Sequence, residues 1–280
     1  MPMGEKAVNA DNLLANLICP KHPSNELSLD VTNLECTQCS GVIAIVKNFK
    51  PLKVDFTCGF DSGLLTNHNH FGDVSKWTNW RRENLEFLLK MNIKSGRVLD
   101  IGAGPGDFHP FLNLNEIISI DFTDYHNTNI ITDLNFNIPI KSECIDSIIM
   151  TNLLEHLPDT KVLKESYRVL KNGSNIYITV PFMLDVHQIP YDYHRYTYLY
   201  LTKILQDEGF NVDQISSSGD FGTFQTLVEH YFRFPISQGN LTAKTLWQFQ
   251  KAINYLLKKL ITVNYRMDYT GGYMIKATKL

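Results

Sequence analysis

Hydrophobic residues along this chain switch repeatedly between a helical and a strand-like period. Leu85, Leu88 and Leu89 recur at helical spacing, predicting an amphipathic helix over residues 80–91 that stops before Ser95 and Gly96. Residues 97–101 (RVLDI) and 116–121 (EIISID) then read as short apolar strands, and residues 144–151 (CIDSIIMT) as a strand buried on both faces. A helix over residues 161–170, with Lys171, Asn172 and Gly173 as its cationic last turn and glycine stop, leads to a strand at 175–180. A second helix at 197–209 leads to a strand at 210–215. Weaker signals place the start of a short helix at 108–114 and a third edge strand at 129–133. Alternating strands and helices predict an α/β fold around a parallel sheet. Residues 219–268 interrupt that alternation as an insertion of helical pattern, expected to pack on the core, with covering the acceptor pocket, forming a homodimer or touching a membrane surface as the alternatives.

Between the first strand and the short helix lies VLDIGAGPG, with Gly102, Gly104 and Gly106 at alternate positions after Asp100. Glycines here let the main chain adopt angles closed to other residues and approach a ligand closely. The spacing is G-x-G-x-G, one residue short of the dinucleotide fingerprint, and Asp107 stands where that fingerprint needs its last glycine. A carboxylate there would compete with a pyrophosphate for the helix start. With Asp100 on one side and Asp107 on the other, the turn suits a positively charged ligand, and S-adenosylmethionine carries both a sulfonium and an α-ammonium group. Asp121, at the tip of the second strand, is expected to accept from both ribose hydroxyls. Asp133 is expected to accept from the adenine amine while the amide of Leu134 donates to a ring nitrogen.

Nearer the N-terminus, Cys19-Pro20-Lys21-His22 and Cys36-Thr37-Gln38-Cys39 form two knuckles with zinc-ribbon spacing. Between them Leu27, Leu29 and Val31 alternate as in a short hairpin strand. So small a segment cannot bury enough surface to fold alone, so zinc held by Cys19, His22, Cys36 and Cys39 would supply most of its stability. His68 and His70 in the polar stretch after it read as solvated or cofactor-adjacent, and Cys58 and Cys144 as buried thiols. The expected organisation is a zinc-ribbon-like domain (1–57), a linker or lid with an N-terminal helix (58–95), and a main domain (96–280) carrying the 219–268 insertion.

The composition narrows the function. A net charge of −3 lacks the basic footprint of a nucleic-acid binder, and no apolar run approaches the roughly 20 residues of a membrane span. The first residues, MPMGEKAVNADN, lack a signal-peptide core, and five cysteines are an odd number for a disulfide framework, so a cytoplasmic protein is expected.

Residues 13–52 resemble the small zinc-ribbon family that includes the tRNA-methyltransferase activator subunit, with His22 where that family usually has cysteine. The ordered phrases VLDIGAGPG, IISIDF, FNIPIKSECIDSIIMTNLLEHLPD, ESYRVLKNGSNIYITVPF and EGF resemble a class I S-adenosylmethionine-dependent methyltransferase of the type-11 group. That likeness spans about residues 96–212 plus a closing strand at 272–277. It implies a Rossmann-like, doubly wound, mostly parallel seven-stranded sheet. It also implies that the glycine turn, Asp121, Asp133 and the residues Asn152, Leu153, Leu154 and Glu155 line the cofactor.

No NPPY-like motif of amino-methylating DNA enzymes follows the 144–151 strand, and no catalytic cysteine pair is evident. The acceptor is expected against PFMLDVHQIPYDYHRYTYLYLTKILQDEGF, where Pro190, Asp192, Arg195 and Thr197 match a P-x-D-x-x-R-x-T pattern found in part of the type-11 group. His187, Asp192, His194 and Arg195 are the candidates, with His187 the first choice of base because imidazole titrates near neutral pH. His156 reads as a pocket wall. The reaction expected is methyl transfer to oxygen or nitrogen of a sugar or other small metabolite. The alternatives are an RNA methyltransferase gripping RNA through the ribbon, and a catalytically inactive cofactor-binding subunit.

Overall fold

A computed structural model describes residues 8–39, 41–49, 52–56, 77–93, 96–218, 235–236, 238–260, 267 and 270–280. Cys58, His68, His70 and most of the expected lid, together with residues 219–234 of the insertion, lie outside the described residues.

The strands are β1 (Ser28–Asp30), β2 (Asn33–Cys36), β3 (Gly41–Phe49), β4 (Leu52–Asp55), β5 (Arg97–Ile101), β6 (Glu116–Asp121), β7 (Ile130–Ile131), β8 (Ile145–Thr151), β9 (Leu170–Pro181), β10 (Phe210–Ser217) and β11 (Gly272–Lys279). They form one eleven-stranded sheet in the order β1-β2-β3-β4-β7-β6-β5-β8-β9-β11-β10. The pairs β7-β6, β6-β5, β5-β8 and β8-β9 are parallel, whereas β11 runs antiparallel to both β9 and β10. The expectation of seven strands is therefore corrected. The seven from β7 to β10 make the doubly wound part, and the N-terminal strands extend it because β4 pairs in parallel with β7. β7 is accordingly interior and not the expected edge.

Alternation along the strands divides the core into two layers. Leu99, Ile101, Ile148, Met150, Ile176 and Ile178 enter the larger one with Val162 and Leu163 of helix α3 (Lys161–Val169) and Leu201 and Leu205 of helix α4 (Tyr198–Asp207). Val98, Ile149, Tyr177 and Met274 face the other way, against Trp80, Phe87 and Leu88 of helix α2 (Asn79–Lys90). Two further helices are α1 (Ala10–Ala15) and, within the insertion, α5 (Leu241–Leu260). No helix among the described residues is long and apolar enough to cross a membrane.

Three local expectations change. Residues 108–114 give only a 3-10 turn, His109–Phe111, because Leu112 is already extended and so short a segment does not nucleate an α-helix. The stop after α3 is not Gly173. Leu170 turns extended to pair with Ile145, so Lys171, Asn172 and Gly173 fall within the irregular start of β9. Val31 continues no strand, since it sits at φ 53 in the β1–β2 turn and is 82% exposed.

Candidate functional site

Strand β5 delivers its acid and the glycine turn to the carboxyl edge of the sheet, where open α/β folds bind ligands. Gly102 (φ +69) and Gly104 (φ +53) both occupy the left-handed region. A Cβ on Gly102 would lie 2.7 Å from Leu153 Cδ1, whereas one on Gly104 would meet open space. The amide of Gly104 donates to Asp121 Oδ2 (2.8 Å) and that of Thr123 to Asp121 Oδ1 (2.9 Å), so the tip of β6 is tied to the turn. Burial is the main cause that pushes the Asp121 carboxyl up to about 6, with Asp100 adding repulsion and the amides of Thr123, Gly104 and Phe122 opposing.

A cleft over this turn is lined by Asp100, Gly102, Gly104, Asp121, Asn152 and Leu153, together with Phe122, Tyr125, Arg81, Asp107, His156 and Gln188. The fit to S-adenosylmethionine rests on unmatched polarity. Asp100 is 4% exposed; its Oδ2 pairs with His109 Nε2 at 2.7 Å, while Oδ1 has no partner among the described residues, leaving a buried acceptor for a cationic ligand. Asp107 does not act as a second free acid, because Arg81 of α2 reaches across the turn to pair with it. The guanidinium also lies over the rings of Trp77 and Phe108 (5.3 and 5.7 Å to the centroids). Asn152, at φ 51 after β8, accepts from Trp80 Nε1 at 2.7 Å.

Asp133 and Leu134 stand apart from the cleft's lining. Asp133 is exposed and accepts from the backbone and side chain of Asn135, and the Leu134 side chain enters the main core.

At the other end of the cleft, β8 runs into Leu154–His156, and the chain after β9 folds back on it. Glu155 is fully buried with neither carboxylate oxygen hydrogen-bonded among the described residues, and burial pushes its carboxyl up to about 8. Its Oε1 lies 3.6 Å from His156 Nε2 and 3.9 Å from His187 Nε2. Asp192 accepts from the His187 amide (2.8 Å) and from both terminal nitrogens of Arg195 (2.6 and 2.8 Å). That pairing outweighs burial, which acts upward, and holds the Asp192 carboxyl at about 2. Of the expected acceptor residues, the fold thus gathers His187, Asp192 and Arg195. His194 is not gathered, since its Nε2 faces the Pro158 carbonyl and its ring packs on Tyr196. Sequence reasoning did not single out Arg81 or His109, which pair with Asp107 and Asp100 at the turn, and took Glu155 as cofactor lining and His156 as a pocket wall, not as acceptor-side chemistry. The one available signal was an acid and an imidazole adjacent in sequence just beyond a buried strand.

In the N-terminal region Cys19, His22, Cys36 and Cys39 converge. Cys19 Sγ is 3.7 Å from Cys39 Sγ, and His22 Nδ1 is 3.8, 3.7 and 3.4 Å from the sulfurs of Cys19, Cys36 and Cys39. A tetrahedral zinc with bonds of about 2.3 Å to sulfur and 2.0–2.1 Å to nitrogen separates its ligand atoms by roughly 3.5–3.8 Å, so the four residues fit. Cys144 lies elsewhere, half-buried, donating to the Lys141 carbonyl (3.0 Å).

A family model described as a methyltransferase domain matches residues 76–215, half of the chain. No curated protein matches the sequence. Among solved structures, the [4+2]-cyclase SpnF aligns at 15% identity over 71% of this chain and 80% of its own, with a TM-score of 0.47. An S-adenosylmethionine-dependent methyltransferase from Aquifex aeolicus aligns at 23% identity over 49% of this chain and 84% of its own (TM-score 0.41). Geranyl diphosphate C-methyltransferase from Streptomyces coelicolor A3(2) aligns at 11% identity over 71% and 77% (TM-score 0.47). By the family match, the chain belongs to the methyltransferase domain family and is an S-adenosylmethionine-dependent methyltransferase.

Proposed function

We propose that this enzyme methylates an oxygen or nitrogen of a small-molecule acceptor, such as a sugar or other metabolite, in the cleft between the glycine turn and the Glu155–His187 cluster. The observation that carries the reading is the unpartnered, buried Asp100 Oδ1 beside a turn tied to Asp121. Asp100 would face the ammonium group and Asp121 the ribose hydroxyls, with Gly102, Gly104, Asn152 and Leu153 as walls; Gly106 lies behind the turn, against Asn127 and His109. Asp133 and Leu134 would reach the adenine only from the outer end. Bound S-adenosylmethionine supplies a methyl group on a cationic sulfur.

The chain's own work is then positioning and handling the acceptor's proton. His156 Nδ1–H donates to the Tyr191 carbonyl (2.5 Å) and His187 Nδ1–H to the Asp185 carbonyl (3.1 Å), leaving both Nε2 lone pairs available on the acceptor side. Arg195 fixes the returning loop through Asp192 and the Asp185 carbonyl (2.9 Å). A zinc ion in the ribbon would be structural, and its thiolate ligands suit a reducing compartment such as the cytoplasm. Self-association through the insertion remains part of the proposal. Calorimetry with S-adenosylmethionine tests the cofactor site; tight binding of a nicotinamide dinucleotide instead would sink it. Transfer of labelled methyl into a metabolite extract, against transfer into RNA, tests the acceptor class.

A further inference from the structure

We infer that Glu155, His156 and His187 form a binding site for a divalent first-row transition-metal ion at the acceptor end of the cleft, separate from the ribbon cluster. The inference rests on the reading of this cleft as the place of methyl transfer. Two imidazoles and one carboxylate converge on a single point, with their ligand atoms all within 4.8 Å of one another. Each is prepared for it differently. Glu155 is 0% exposed and has no hydrogen bond at either oxygen among the described residues, an arrangement that disfavours a lone carboxylate and that a cation relieves. His156 spends its Nδ1 proton on the Tyr191 carbonyl, so its buried Nε2, also without a hydrogen-bond partner among the described residues, carries a lone pair. His187 spends its own on the Asp185 carbonyl, with Asp192 Oδ2 3.3 Å behind the same nitrogen. Metal-bound histidines are held in this way, by an oxygen that fixes the tautomer from the opposite nitrogen.

The spacing needs only a small adjustment. Bonds of about 2.1 Å set ligand atoms about 3.0–3.4 Å apart; Glu155 Oε1 stands 3.6 Å from His156 and 3.9 Å from His187, with all three ligand atoms within 4.8 Å, so a metal requires His187, whose side chain is 34% exposed, to turn inward and the Glu155 carboxylate to shift toward His156 by a few tenths of an ångström. Two histidines and one carboxylate favour manganese, iron, cobalt or zinc over magnesium or calcium. Three protein ligands leave positions open, and His156 also lines the cofactor cleft. An acceptor offering an oxygen to those positions would be held against the methyl donor and would lose its proton more readily. The substrate class that follows is an oxygen acceptor, a hydroxyl with a neighbouring oxygen, in preference to an isolated amine.

Manganese is the probe that separates this site from the ribbon, because a three-cysteine cluster favours softer ions. Full-length protein with its ribbon loaded with zinc is titrated with Mn²⁺ and followed by electron paramagnetic resonance of the free ion. The same samples are titrated with S-adenosylmethionine by calorimetry. The expectation is one Mn²⁺ bound per chain, weakened roughly tenfold or more by Glu155→Gln, which keeps the side-chain shape, and by His187→Ala, which alters a partly exposed position. Protein that binds S-adenosylmethionine but no Mn²⁺, or Mn²⁺ binding that both variants leave unchanged, overturns the metal site and leaves the methyltransferase reading intact. Mn²⁺ binding lost in the variants, in a protein whose cleft does not take S-adenosylmethionine, upholds the metal site and removes the cofactor assignment.

Discussion

Replacing Asp121 by asparagine separates two roles of one carboxylate. In the free protein the group is 5% exposed and its pKa stands at about 6 against an ordinary 3.8, chiefly because burial penalises the charge. An acid that holds its proton more tightly when folded makes the fold most stable below its unfolded value, and that stability is lost as pH rises through the folded one. The move from 3.8 to about 6 corresponds to about 3 kcal/mol lost between those two values. Asparagine carries no charge to bury, but it can accept from only one of the Gly104 and Thr123 amides, and stranding the other costs about 1–3 kcal/mol. At about pH 8 the Asp121→Asn protein should therefore be as stable as the parent or up to about 2 kcal/mol more so. Cofactor affinity should move the other way. Hydrogen bonds to a charged acceptor contribute about 1.5–3 kcal/mol each, so S-adenosylmethionine should bind roughly 10- to 100-fold more weakly to the variant. In the parent, affinity should fall roughly tenfold per pH unit below about 6 as the carboxylate protonates. Calorimetric titration gives the affinities, and denaturant unfolding of both proteins across the acid range gives the stabilities. Equal affinity in parent and variant would remove Asp121 from the cofactor site, and parallel stability profiles would remove the burial argument.

The glycine turn gives a paired expectation. Gly102→Ala and Gly104→Ala each incur about 1–2 kcal/mol for a left-handed backbone, but only the Gly102 substitution also collides with Leu153, so thermal unfolding should show it as the less stable of the two. Equal melting temperatures would contradict the packing argument. For the ribbon, elemental analysis should find at least one zinc atom per chain, and chelation should lower both the melting temperature and S-adenosylmethionine affinity. Protein purified without chelator and devoid of zinc would rule out the site. Arg195→Met removes the two bonds to Asp192 and the ties to the Asp185 and His194 carbonyls, so turnover in a labelled-methyl assay should fall well below the parent's. Undiminished turnover would show that the loop needs no such anchor.

Strands β5 and β6 have the bounds their apolar runs predicted, since a buried parallel strand bounded by turn residues is a strong local signal. Helix α4 begins where Thr197 marks it, the hydroxyl accepting from the Tyr200 amide (3.3 Å). The glycine turn was legible because its residues are contiguous. The acceptor-side cluster was not, because Glu155 and His187 meet only after α3 and β9 return the chain to the same edge of the sheet. Gly173 misled for a related reason: it has the conformation of a helix stop, at φ 72, yet Leu170 had already left the helix to satisfy a strand partner. Asp107 looked like a free charge in sequence, and only folding brings Arg81 from α2 to neutralise it.

The join between β4 and β7 explains why the ribbon should matter to the cofactor at all. β7 is only two residues long, and alone it would leave a weak, exposed edge to the doubly wound sheet. β4 covers that edge, with Val54 donating to the Asn129 carbonyl and Phe56 to that of Ile131 (both 2.8 Å), while Asn129 Nδ2 donates back to Leu52 (3.0 Å). Lys47 and Lys53 both reach Asp124, in the loop that follows Asp121. The first knuckle makes a further grip: Asn137 Nδ2 donates to the Pro20 carbonyl (2.6 Å), and the Ile18 amide donates to Pro139 (3.1 Å). Pro20 lies between Cys19 and His22, so a metal there would fix the backbone against which residues 133–140 are held. The loop after Asp121, which borders the cleft, and the 133–140 segment beyond its lining are thus both braced by the N-terminal region. Zinc binding, if it orders the knuckle, orders the 133–140 segment as well, through contacts that run from Sγ to the Ile18 and Pro20 backbone to Asn137 and Pro139.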